Sequence, residues 1–132
     1  MIKTITKEFK FDSAHRLFDP DLTYDENAKV FGKCLNLHGH TYHLFVTVSG
    51  EEKSGMIINF VELKEIVNAN VIDKFDHQYL NHTQEMKNVI STCENQITII
   101  WDLLEEKLKA KNITLEELKL YETETSFATL TK

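Results

Sequence analysis

The chain has 132 residues, 42% of them hydrophobic, and a net charge of −6. That length fits one domain, residues 1–132, with one core; no apolar run is long enough for a membrane span, and the negative charge argues against general nucleic-acid binding. Met1–Glu8 does not read as a secretory signal, and two cysteines without repeated spacing make no disulfide framework, so reduced thiols in the cytoplasm are expected.

Residues 2–13 alternate as a strand. Ile5, Phe9 and Phe11 share one parity with Lys7, Ser13 and His15, while Thr4, Thr6, Glu8, Lys10 and Asp12 fill the solvent-like face. His15 therefore stands at the end of the strand, in phase with buried aromatics. Residues 17–33 form a connection around Pro20, with a short helical turn near Asp25–Val30. So long a connection in a small domain suggests a functional loop, and this one feeds into Cys34.

A second strand runs from His38 to Val48. His38, His40, Tyr42, Leu44, Val46 and Val48 share its mainly apolar face, and Gly39, Thr41, His43, Thr47 and Ser49 take the other. Two imidazoles on one face of a strand end suit a metal, which needs converging nitrogens on a rigid element. An H-x-H pair by itself is commonly incidental; the in-phase His15 gives it weight. If the two strands pair antiparallel, the end of one meets the start of the other, and His15 approaches His38 and His40. Cys34 lies just upstream, outside the alternation, as a third ligand, a nucleophile or a base.

Ser49–Gly55 is a turn. Asn59 and Glu62 then have the spacing of a capping box, and Phe60, Leu63, Val67 and Val71 recur at helical intervals. Phe75–Asn81, with its Asp76-His77 pair, follows as a loop. Ser91 and Glu94 repeat the capping-box spacing before a stripe of Ile97, Ile100, Trp101, Leu104 and Leu108. Two strands close the chain, with a turn at Thr123–Thr125. Glu122 is in phase with Leu118 and Leu120, an expensive place for a carboxylate unless it is paired, hydrogen-bonded or wet at the strand end. The order strand, strand, helix, helix, strand, strand predicts an α+β fold, an antiparallel sheet with two helices on one face.

From Phe9 to about Thr125 the chain resembles the zinc-dependent pterin synthases of the tunnelling fold, which make 6-pyruvoyl- or 6-carboxytetrahydropterin. The resemblance is carried by Ser13-Ala14-His15-Arg16-Leu17, Cys34 with His38-Gly39-His40, Gly55-Met56, Asp76-His77, Ser91-Thr92-Cys93-Glu94-Asn95 and Tyr121-Glu122-Thr123, all in this order. It implies a four-stranded antiparallel sheet with two helices between strands 2 and 3. It implies zinc on His15, His38 and His40, with a fourth position open to substrate hydroxyls. Cys34 would be the base, its thiolate favoured by a nearby cation such as Lys33 or the metal. His77, oriented by Asp76, would relay the proton, and Glu122 would anchor the pterin. Lys33 and Arg16 would contact the phosphates.

The implied substrate is 7,8-dihydroneopterin triphosphate, a small molecule, and the implied assembly is a homo-hexamer, a dimer of trimers with active sites between subunits. Glu122 could then serve a neighbour's zinc. The four-residue step from Cys34 to His38, and Phe75–Asn81, resemble the carboxy-forming enzyme of queuosine biosynthesis. Asn59 stands where the carboxy-forming bacterial enzyme usually has Asp, and Ser91-Thr92 and the loop ending Phe31-Gly32-Lys33-Cys34 resemble the pyruvoyl-forming one. The 6-carboxy product is the expectation, with 6-pyruvoyl the alternative. Two other classes are a zinc hydrolase, with Glu94 or Glu122 as base, and a non-catalytic pterin or purine binder.

Overall fold

Alternation builds the central hairpin. In the computed structural model, which describes residues 1–132, β1 (Ile5–His15) and β2 (His38–Ser49) run antiparallel, Ile5 opposite Val48 and His15 opposite His38. The expected meeting of strand end and strand start is therefore present. Phe9, Phe11, Tyr42, Leu44, Val46 and Val48 are buried on one face. Each such side chain contributes roughly 1.5–3 kcal/mol over its exposed state.

The connection between these strands is ordered. Helix α1 (Tyr24–Phe31) starts at Thr23, which accepts from Glu26 N at 3.1 Å while Glu26 Oε1 accepts from Thr23 N at 2.9 Å. Gly32 ends it at φ +58°, a conformation that favours glycine, and Gly32–Leu35 forms a 3₁₀ turn carrying Cys34. Asn27, fully buried, holds the loop by bonding Asp19 N and O and the carbonyls of Leu22 and Thr23.

Helix α2 (Phe60–Val67) starts at Asn59, whose side chain accepts from Val61 N at 2.8 Å. The expected reciprocal bond from Glu62 is not made; Glu62 pairs with Lys111 instead. The helix continues through a π turn, Asn68–Ile72, into α3 (Asp73–Phe75). Leu63, Val67 and Val71 are buried as expected, but Phe60 is 49% exposed.

The last long helix, α4 (Cys93–Lys109), is capped by Thr92, which accepts from Asn95 N at 3.2 Å. Ser91 is thus not the cap and Glu94 has no capping bond. Ser-Thr offers two hydroxyls in succession, and burial of the first leaves the second for the helix. Ile97, Ile100, Leu104 and Leu108 pack on the sheet, with Trp101 at the margin, bonded to Glu105.

The sheet has five strands rather than four, in the order β3-β1-β2-β4-β5. The additional strand, β3 (Gln78–Tyr79), lies parallel to β1 beside Ser13 and Ala14. It is too short for alternation to reveal. β4 (Thr114–Tyr121) pairs with β2, and β5 (Phe127–Thr131) with β4. The register shifts by one residue between Thr47 and Val48, a bulge that lets both Leu115 and Leu118 face the core despite opposite parity.

Candidate metal and catalytic site

The register of β1 and β2 fixes the site. His15 lies across from His38, and Ser13 across from His40, so three imidazoles gather at one end of the hairpin. Ring centroids lie 4.6 Å apart for His15–His38, 5.2 Å for His15–His40 and 5.0 Å for His38–His40. One nitrogen from each ring falls within 4.8 Å of the other two.

Hydrogen bonds choose those nitrogens. His15 Nδ1 lies 2.9 Å from the Ser91 carbonyl and 3.2 Å from its hydroxyl, and His38 Nδ1 lies 2.7 Å from the Asn36 carbonyl. A carbonyl only accepts, so Nδ1 carries a proton in both rings and Nε2 is the nitrogen left to face the shared centre. His15 Nε2 and His40 Nε2 are buried without a hydrogen-bond partner. Burial, then the neighbouring His38, lowers the His15 pKa to about 4 against the opposing Ser91 bond. Burial also lowers that of His40, with Glu122 opposing. Orphaned Nε2 atoms on His15 and His40 and carbonyl-bonded Nδ1 atoms on His15 and His38 are the donor set a zinc ion requires. The residues present fit that metal.

Glu122, one residue beyond β4, stands beside the histidines of its own chain. Its carboxylate oxygens lie 3.9 Å from His15 Nε2 and 3.7 Å from His40 Nε2. Cys34 is exposed on its 3₁₀ turn, and its carbonyl accepts from Leu17 N at 2.8 Å. That bond fastens the cysteine turn two residues past His15.

Asp76 and His77 do not join this cluster. Asp76 Oδ1 accepts from Asp12 N at 2.9 Å, Asp76 Oδ2 lies 3.0 Å from His77 Nδ1, and His77 N donates to Asp12 O at 2.6 Å. The bond from Asp12 N is the main reason the Asp76 carboxyl is held below its ordinary range. His77 has φ +60°, which turns the chain from α3 into β3. The pair occupies the outer edge of β1, where His77, Asp12, Thr41 and His40 border an open cleft of about 560 Å³. The Arg16 guanidinium lies over the Phe18 ring at 4.4 Å, and Lys33 is exposed beside Cys34.

Sequence reasoning passed over several contributors. Ser91 holds His15, and Gln96 donates to the Ser91 carbonyl at 2.9 Å. Asn81 clasps the Arg16 backbone, accepting from its N at 3.0 Å and donating to its O at 2.8 Å. The available signal was a polar residue, Gln96, on the inward face of an otherwise apolar helix stripe. Cys93 bonds the Leu120 carbonyl, and burial pushes its thiol up to about 11. His43 pairs with Glu8 at 2.9 Å on the opposite face of β2.

Residues 4–132 match the family model described as 6-pyruvoyl tetrahydropterin synthase. The chain is 44% identical to a 6-pyruvoyl tetrahydrobiopterin synthase of Dictyostelium discoideum, over 93% of this chain and 91% of that one. It is 34% identical to a 6-carboxy-5,6,7,8-tetrahydropterin synthase of Haemophilus influenzae, over 93% and 94%. The fold is similar to the structure of Caenorhabditis elegans 6-pyruvoyl tetrahydropterin synthase, with a TM-score of 0.90 and 30% identity, covering 100% of this chain and 96% of that one.

Proposed function

This chain belongs to the 6-pyruvoyl tetrahydropterin synthase family, and from that premise we propose that it is a zinc-dependent lyase acting on 7,8-dihydroneopterin triphosphate. The observation that carries the reading is the convergence of His15, His38 and His40 with unpartnered nitrogens at their centre. Zinc held there would supply a Lewis acid that acidifies the hydroxyls of the substrate side chain.

The chain's own groups do the rest. Cys34, as a thiolate, removes a proton from the substrate side chain. His77, held by Asp76, relays that proton. The dyad sits at the β3 edge and bonds neither Cys34 nor the histidines, which supports a site assembled between copies of the chain. Glu122, whose carboxylate lies 3.7–3.9 Å from two ligand nitrogens, anchors the pterin through the paired N–H donors of its amino-pyrimidine edge. Arg16 follows the ligand His15 in sequence and Lys33 precedes Cys34, and we assign both to the triphosphate.

We assign the 6-carboxy product: substrate and water give 6-carboxytetrahydropterin, acetaldehyde and triphosphate, the step that serves queuosine biosynthesis. The four-residue step from Cys34 to His38 supports it, because that step sets where the thiol meets the substrate. The 6-pyruvoyl product is the second reading, favoured by the higher identity to the Dictyostelium relative. The test is product analysis by mass, with zinc-loaded protein and 7,8-dihydroneopterin triphosphate. A 6-carboxy pterin with acetaldehyde is expected; a 6-pyruvoyl pterin establishes the second reading. Bound but unconverted substrate overturns both and leaves a binding protein.

A further inference from the structure

Gln96 lies in the first turns of α4, fully buried, on a helix face otherwise built from aliphatic side chains. Its amide nitrogen donates twice, to the Ser91 carbonyl at 2.9 Å and to the Tyr42 hydroxyl at 3.2 Å. Its carbonyl oxygen is buried and has no partner. Reversing the amide does not relieve this, because the oxygen would then face the Ser91 oxygen with no proton between them. A half-satisfied buried amide is less stable than an apolar side chain of the same shape. Packing alone therefore does not account for a glutamine here.

What the nitrogen holds does account for it. The Ser91 carbonyl is the acceptor of the His15 Nδ1 proton, at 2.9 Å. Ser91 precedes the Thr92 cap and lies outside the helix ladder, so side chains must aim its carbonyl. The Tyr42 ring packs edge-on against His15 and His40, with centroids 6.3 and 5.6 Å away. One amide thus ties the acceptor of one ligand to the ring that flanks two of them, and anchors both to the helix.

We propose that Gln96 is a positioning residue for the metal: through the Ser91 carbonyl it fixes His15 with Nδ1 protonated and Nε2 turned to the shared centre. The inference rests on the three-histidine metal site of the preceding reading, and its test reads metal binding, not turnover. Gln96→Met keeps the length of the side chain and removes both donors. Zinc affinity is measured by competition with a chromophoric chelator, the cobalt(II) spectrum is recorded, and the zinc-free protein is melted. Zinc binding ~10–100-fold weaker is expected, as for other groups that orient a ligand, with an altered cobalt(II) spectrum and a zinc-free melting point no lower than before. Unchanged zinc affinity overturns the proposal. So does a lower zinc-free melting point with an unaltered cobalt(II) spectrum, which marks a merely structural role.

If the variant does not fold, nitrogen-15 correlation of the His15 ring in the unaltered, zinc-loaded protein decides. Zinc-bound Nε2 with protonated Nδ1 supports the proposal, and the reverse tautomer overturns it. An unaltered protein that binds no zinc overturns both this inference and its premise. A protein that turns over no pterin, yet loses zinc affinity in Gln96→Met, sinks only the substrate reading.

Discussion

At the scale of single residues, ligand and base separate by what their removal abolishes. His40→Ala takes away a buried nitrogen aimed at the shared centre. It is expected to leave less than one zinc per chain after dialysis, read by elemental analysis. Cys34→Ala should keep its zinc and lose roughly 10²–10⁴-fold in turnover, the range of a positioned acid–base group. Loss of zinc in that variant would make Cys34 a ligand instead. Asp76 gives the pH prediction. Its folded pKa is depressed, chiefly by Asp12 N–H, so its contribution to stability is present above the ordinary carboxylate value and is lost as the pH falls through the depressed one. Thermal melts across the acid range should therefore fall more steeply for the parent than for Asp76→Asn. Parallel curves would remove Asp76 as the cause.

At the scale of elements, the start of α4 divides its labour between two adjacent hydroxyl residues. Thr92 caps the helix and Ser91 faces His15. Thr92→Ala should cost about 1 kcal/mol of stability, the usual loss for a cap, with zinc affinity retained once the protein is folded. Chemical denaturation and chelator competition measure the two quantities separately. A hydroxyl followed three residues later by glutamate satisfies a capping-box pattern at Ser91 as well as any real cap does. Only burial of Ser91 against β1 decides between the two positions. The two-residue β3 likewise has no periodicity of its own; it is held to β1 where Asp12 donates its N–H to Asp76 Oδ1 and accepts from His77 N, the two residues between α3 and β3.

At the scale of the whole molecule, the sheet leaves two open borders. β5 pairs only with β4, and β3 with the Asp76-His77 turn covers only Asp12 to Ala14 of β1, leaving Ile5 to Phe11 with no second strand on that side in the same chain. Such edges recruit further strands, so light scattering should find an assembly, with a hexamer expected; a monomer at micromolar concentration would count against a site shared between copies. The net charge of −6 repels a triphosphate at long range. Neutralising Arg16 or Lys33 should accordingly raise KM for the triphosphate more than it lowers kcat, with an effect that fades as salt is added.

Sequence alone determined the two strands and the face that carries His15, His38 and His40, because a period of two leaves no freedom once a strand is buried on one side; that the strands pair antiparallel was a condition which the structure met. It also determined the helical stripes of α2 and α4, because burial recurs every three to four residues. The tertiary structure decided what depends on distance between elements far apart in the chain. It chose Nδ1 as the protonated nitrogen of His15 by bringing up a carbonyl from residue 91. It set Glu122 beside its own histidines and placed Asp76 and His77 on a separate edge. Periodicity records which side of an element is buried; which groups then meet is fixed only by the packing of one element on another.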